Sequence, residues 1–161
     1  MMIREARDAD WDAIWPFFHE VTAAGESFTY PTDLGREEAS GWWLLPAPNR
    51  TVVAEVAGRV VGSAKMNNNH VGNASHIASA TYLVDPAHEG RGVGRALVED
   101  SLAWARAQGY RAMQFNAVVE TNTRAVGLYE SLGFEVVGTL AEGFRHPREG
   151  YVGLHVMYRL L

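Results

Sequence analysis

Residues 77 to 119 constrain the fold more than any other stretch. Ile77–Val84 reads as a strand that Asp85-Pro86 breaks. Three alternate glycines follow at Gly90, Gly92 and Gly94. A helix is then predicted over about 92–108, with Val93, Leu97, Ser101, Trp104 and Ala105 on one face and Gly109 at its end. Ala112–Val119 reads as a second strand. Strand, helix and strand in that order form a crossover, which should be parallel and right-handed. A chain built around such a unit is α/β.

The flanking segments set the rest of the sheet. Residues 2–7 alternate weakly, as a short strand. Asp8 can cap a helix over about 9–24 whose apolar face holds Trp11, Ile14, Trp15, Phe18 and Val21. Pro16 inside that pattern predicts a kink, and Gly25 a stop. Residues 25–35 read as a loop, and 36–45 as a short helix ending before Pro46. Residues 50–57 and 59–66 form a predicted hairpin turned by Ala57-Gly58. After the crossover, Ala125, Leu128, Tyr129 and Leu132 mark a helix over about 122–132 that Gly133 ends. Residues 134–140 and 151–160 read as the last strands, joined through Gly143-Phe144-Arg145-His146-Pro147. The order β-α-α-β-β-β-α-β-α-β-β predicts a mixed sheet in three layers, helices on both faces, within a single domain over 1–161. It is not a fully alternating doubly wound sheet.

Composition removes several function classes. The 161 residues include no cysteine, which excludes disulfides, cysteine zinc sites and a cysteine nucleophile. Nineteen acidic against 14 basic residues give a net charge of −5, the wrong sign for a general nucleic-acid or anionic-membrane binder. No apolar run approaches the ~20 residues of a membrane span. The opening Met-Met-Ile-Arg-Glu-Ala-Arg lacks the apolar core of a signal peptide. A cytoplasmic protein is expected. The six histidines show no ligand spacing, so no metal site is expected.

Chemistry concentrates at Tyr82–Leu97. Glycines after a strand let backbone approach a ligand, and the helix that follows turns its free N–H groups and its dipole toward an anion. Arg91, Arg95 and His88 add local positive charge to an acidic chain. The plain alternative is a loop that lets helix and strand pack closely. A Walker A loop needs G-x-x-x-x-G-K-[ST], which is absent. A dinucleotide fingerprint needs its glycines directly after the strand, and here Asp85–Glu89 intervene.

A second segment follows about 30 residues later: Asn122, Ala125, Leu128, Tyr129, Gly133 and Phe134 in order. With Val84, Pro86, Gly92, Gly94 and Leu97 upstream, the pair resembles the two motifs of the GCN5-related N-acetyltransferase superfamily, and the candidate acceptor residues Arg145 and Tyr30 resemble its phosphinothricin-type branch. One position departs: Glu89 stands where the family has Arg or Gln, and a carboxylate cannot donate to phosphate. The resemblance implies acetyl-coenzyme A as cosubstrate, held by Tyr82, Leu83 and Val84 along the pantetheine. Glu89, Gly90, Arg91, Gly92, Val93, Gly94 and Arg95 would surround the diphosphate, with Asn122 and Tyr129 beside the arm. Asn122 also suits a helix N-cap.

By the same resemblance, a neutral amine attacks the thioester directly. The backbone of Leu83 or Val84 would meet the oxyanion, and Tyr129 would protonate the leaving thiolate. As a residue alone, Tyr129 equally fits a core aromatic. An alkylamine of pKa near 10 is only about 0.1% neutral at pH 7, so a base or water relay is needed. The 77–84 strand has no carboxylate, which leaves Glu26, Glu120 and His76 as candidates. Phe28, Tyr30, Phe144 and Arg145 are the candidate acceptor wall, and Arg145 with Tyr30 would suit a carboxylate on a small, amino-acid-like amine. Against this stand a non-catalytic coenzyme A sensor, a protein-directed acetyltransferase with an open groove and, more distantly, a nucleotide-linked oxidoreductase. Family members often dimerise, so a homodimer is a further expectation.

Overall fold

The computed structural model describes residues 1–161. Its strands are β1 (Met2–Glu5), β2 (Arg50–Val56), β3 (Arg59–Asn68), β4 (Ile77–Val84), β5 (Ala112–Val119), β6 (Glu135–His146) and β7 (Gly150–Leu160). Its helices are α1 (Trp11–Ala24), α2 (Arg36–Trp43), α3 (Val93–Ala107) and α4 (Thr123–Ser131). The element order is the predicted one. All seven strands form one sheet in the order β1-β2-β3-β4-β5-β7-β6, antiparallel except for the β4–β5 pair.

Helices cover both faces. Leu97, Val98, Met113, Phe115, Phe134 and Met157 form the core beneath α3 and α4. Trp11, Ile14, Phe18, Trp43, Val53 and Leu83 form the core beneath α1 and α2. The adjacent tryptophans of α2 part as helix geometry requires: Trp43 is fully buried, its indole N–H donating to Ser63 Oγ at 2.9 Å, while Trp42 is exposed. α1 continues as one helix through Pro16, which lies on its exposed side. The missing N–H there costs one bond and does not end the element.

β4 and β5 part early. They pair only at Ile77–Ala112 and Ala78–Met113. Farther along, β5 is bulged between Phe115 and Val118, while β4 stays zipped to β3 up to Val84. The wedge between them opens toward the start of α3. Gly62 on β3 sets how closely that helix approaches. A Cβ there would lie 2.8 Å from Val93 Cγ1 and 3.1 Å from the Leu83 carbonyl. Gly62→Ala is expected to cost about 1–3 kcal/mol in urea unfolding. Unchanged stability would mean that α3 does not press on the sheet at this point.

The expected connection at 143–147 is displaced. Gly143 through His146 belong to β6, and the turn is 147–149. Pairing shifts register between Leu140 and Phe144, with Glu142 at φ 56°, and then resumes along Phe144–His146. A large bulge therefore explains the glycine that resembles a strand end in sequence.

Candidate active site

The wedge becomes a cleft of about 760 Å³ bounded by β4, β5, the starts of α3 and α4, and residues 27–29. Strand alternation decides which backbone groups face it. Asp85 N–H donates to Val61 O and Asn69 N–H to Ile77 O, so the odd-numbered residues of β4 are bonded to β3. The N–H and C=O groups of Ala80, Tyr82 and Val84 consequently turn toward the gap. This corrects one expectation: the Leu83 amide belongs to the β3 ladder, and its side chain is buried under α1. Of those two, Val84 N–H is the free donor.

At the far end of β4 lies the glycine loop. Gly90 and Gly92 have φ of 74° and 80°, which side-chain-bearing residues adopt at a cost. Gly92 is the N-cap of α3, and no side chain caps the helix. Its first internal bond runs from Ala96 N to Gly92 O, so the amides of Val93, Gly94 and Arg95 have no helical acceptor. His88 is turned by Asp85, whose Oδ2 lies 2.9 Å from Nδ1. Arg95 donates to Ser131 Oγ at 2.8 Å, joining α3 to α4 at the rim.

Glu89 does not meet an anion alone, because the Arg124 guanidinium pairs with its carboxylate. That guanidinium also lies over the loop, 3.3 Å from where a Gly90 Cβ would stand. Arg124 was missed in sequence reasoning. The only signal was its position inside the second motif, one residue before Ala125. Arg91 is exposed and does not line the cleft.

Asn122 caps α4 through Oδ1, which accepts from Ala125 N at 3.3 Å, and it also lines the cleft. Tyr129 lines the opposite wall. Its ring packs 4.6 Å from Phe115 and 6.0 Å from Tyr82, and its hydroxyl bonds to no protein group. Burial pushes the Tyr129 phenol well above the ordinary tyrosine range, so it holds its proton throughout neutral pH.

The remaining candidates scatter. Phe28 lines the cleft and stacks at 5.5 Å on Tyr30, which lies behind it against Phe18. Phe144 is buried with Val119, Val152 and Leu154, and Arg145 points the other way, exposed. Neither reaches the cleft, since β6 alternation sends one inward and the other to solvent. Glu120 accepts from Gly153 N–H at 2.6 Å and does not line the cleft. Glu26 lies in an adjoining cavity, 2.5 Å from Arg148. His76 precedes β4 at the closed end of the wedge. No three histidines or carboxylates gather as metal ligands.

Lys65, opposite Thr81 on β3, is a half-buried cation. Its Nζ donates to Trp42 O at 2.7 Å and lies 5.3 Å from the Tyr30 ring. Desolvation lowers it to about 8 from 10.5. A lysine depressed in the fold penalises stability fully below about pH 8, and the penalty lifts as pH rises toward 10.5. Lys65→Met should therefore show a weaker rise in unfolding free energy between pH 8 and 10 than the parent. Parallel curves would refute the burial.

The cleft fits a long ligand with a diphosphate at one end: a free strand edge, an uncapped helix start and a guanidinium follow one another along it. Comparison with known proteins agrees. The family described as Acetyltransferase (GNAT) family matches residues 11–134. The N-acetyltransferase aca1 of Schizosaccharomyces pombe is 32% identical over 146 residues, 80% of this chain and 70% of that one. A GCN5-related N-acetyltransferase from Kribbella flavida superposes with a TM-score of 0.96 at 54% identity, covering 99% of this chain and 97% of that one. A phosphinothricin acetyltransferase from Sinorhizobium meliloti, in complex with AcCoA, shares the fold with a TM-score of 0.87 at 23% identity, covering 99% and 88%.

Proposed function

The chain belongs to the acetyltransferase (GNAT) family, and from that membership we propose that it acetylates a small amine by direct attack in the wedge between β4 and β5. It is an acetyl-CoA-dependent acetyltransferase. When bound, acetyl-CoA supplies a thioester whose C–S bond breaks as the new N–C bond forms. The observation that carries the reading is the run of free groups along the cleft, from Val93–Arg95 amides to the β4 edge to the Tyr129 hydroxyl.

Each residue then has a task. The amides of Val93, Gly94 and Arg95, with Arg124 above, hold the diphosphate. Val84, beside the diphosphate end of β4, offers backbone partners to the pantetheine amides, as one strand does to another. The free N–H of Tyr82, farther along the edge, is preset for the negative charge that develops on the thioester oxygen. Tyr129 gives its proton toward the departing sulfur.

On the acceptor side of the cleft wall no side chain serves as a base for the amine; the wall's one imidazole, His88, lies at the glycine-loop end beside Asp85. Glu89 is the wall's only carboxylate, and Arg124 holds it. Ser79, Thr81 and Asn116 line the acceptor side and support a water relay for the proton. Residues 27–29 lie along the cleft, which supports a small acceptor over a protein segment in an open groove. The test is free-thiol release from acetyl-CoA by the purified protein across a panel of amines. Thiol release that depends on the amine is the expected result. Tight coenzyme binding with no turnover on any amine would favour a sensor instead.

A further inference from the structure

Beyond Tyr82 the cleft runs on to its acceptor side at Ser79, Thr81 and Asn116. Asn116 stands in the bulge of β5, where two residues, Asn116 and Ala117, oppose one of β7. Its carboxamide is held from both sides. Oδ1 accepts from Gln114 Nε2 at 2.8 Å, and Nδ2 donates to Asn69 Oδ1 at 2.6 Å. Asn69 directly follows β3, and its backbone N–H donates to Ile77 O at 2.8 Å, where β4 begins. Asn69 therefore lies toward the closed end of the wedge, on the far side of the acceptor region from the glycine loop.

The Nδ2 of Asn69 is buried and has no hydrogen-bond partner; no other buried side-chain nitrogen or oxygen is in that state. Its carbon also carries the Oδ1 that Asn116 uses, so the orphan donor stands beside Asn116. A buried N–H without a partner calls for an acceptor atom on a ligand. The surrounding charge selects the kind of acceptor. β3, β4 and β5 contain no Asp or Glu, in a chain with 19 acidic residues. The ladder pairs Lys65–Thr81 and Asn67–Ser79 share one face of the sheet. Lys65 is the only lysine of the chain, and it pairs with no carboxylate.

We infer that Asn69, with Asn116 beside it, recognises a carbonyl-type oxygen on the acetyl acceptor, supplied by a carboxylate or an amide group next to the amine. The inference rests on the acetyl-transfer reading above and adds the chemical class of the acceptor. The amine faces the thioester near Tyr82, and the oxygen reaches past it to the orphan N–H groups. Gln114 is a positioning residue that fixes which way the Asn116 carboxamide turns. A simple alkylamine leaves the Asn69 donor unpaired and forfeits that recognition. A wall with one lysine and no carboxylate also favours the neutral amine, the form that attacks. Arg145, the cation that the sequence offers for a carboxylate, does not line the cleft.

The test measures thiol release for α-amino acids, their primary amides and the alkylamines that lack the carbonyl group. The acid or the amide should exceed its alkylamine at least about tenfold in kcat/KM. Asn69→Asp keeps the oxygen that Asn116 uses and exchanges the orphan N–H groups for a carboxylate oxygen. It should lower the acid-to-alkylamine ratio at least about tenfold, and the amide-to-alkylamine ratio less. Thermal unfolding and calorimetry with coenzyme A on the same variant separate this from a lost fold or lost coenzyme. If Asn69→Asp does not fold, Asn69→Ala takes its place, with a fall of at least about threefold in both ratios. An acid at least as good as its amide identifies a carboxylate as the source of the oxygen, and a better amide identifies a neutral carbonyl. If no amine turns over, calorimetric titration of the three compounds into the coenzyme-loaded protein reads the same preference. Alkylamines that do as well as acids and amides, ratios unmoved by the substitution, or binding of none of the three overturns the inference. Failure of the parent to bind coenzyme A at all would instead sink the acetyl-transfer reading beneath it.

Discussion

Replacing Tyr129 with phenylalanine is expected to lower kcat about 100-fold while acetyl-CoA affinity stays close to that of the parent. The size follows from the usual worth of a positioned proton donor. The split follows from the surroundings. Phenylalanine keeps the ring contacts with Phe115, Tyr82 and Phe134, so the wall of the cleft survives. Only the hydroxyl goes, and that hydroxyl bonds to nothing else in the protein. Because burial raises the phenol, Tyr129 stays protonated as pH rises through neutrality, and the parent rate should climb with pH as the acceptor amine loses its proton. Steady-state kinetics with a separate coenzyme-binding measurement checks both parts. Equal losses in kcat and coenzyme affinity would make Tyr129 a packing residue.

Gly92→Val is expected to weaken coenzyme binding at least about 100-fold and to leave most of the fold standing. Gly92 has φ of 80°, and a β-branched residue held there costs about 1–3 kcal/mol. No atom stands within 4 Å of the would-be Cβ, so the side chain is not excluded by a clash inside the protein. It would occupy the open space over the loop where the diphosphate is proposed to sit. Relief of the strain would also rotate the amides of Val93 and Gly94 out of convergence. Calorimetry with coenzyme A gives the affinity, and thermal unfolding separates it from stability. Unchanged affinity would remove the glycine loop from the binding site.

Much of the fold was legible because its periodicities are local. β4 and β5 have the predicted bounds, 77–84 and 112–119, since each is a compact apolar run with clear breakers. α3 and α4 differ from expectation by a residue at each end, where caps rather than apolar spacing set the boundary. β6 was not legible beyond Leu140. Its bulge and the left-handed Glu142 imitate a turn, and only pairing with β7 carries the strand on to His146.

The site divides along the same line. By itself the sequence determined the order of elements, the glycine-led start of α3 and the placement of Asn122 and Tyr129 on the helix that faces it. Those features depend on spacing within about a dozen residues. Tertiary structure alone decided which groups are free to act. Pairing parity on β3 took the Leu83 amide out of the gap and left that of Val84 in it. Gly153 claimed Glu120 across 33 residues, and Arg124 met Glu89 across 35. Strand pairing and long-range ion pairs have no local period, so a carboxylate that is a free base and one already engaged look the same until the chain is folded.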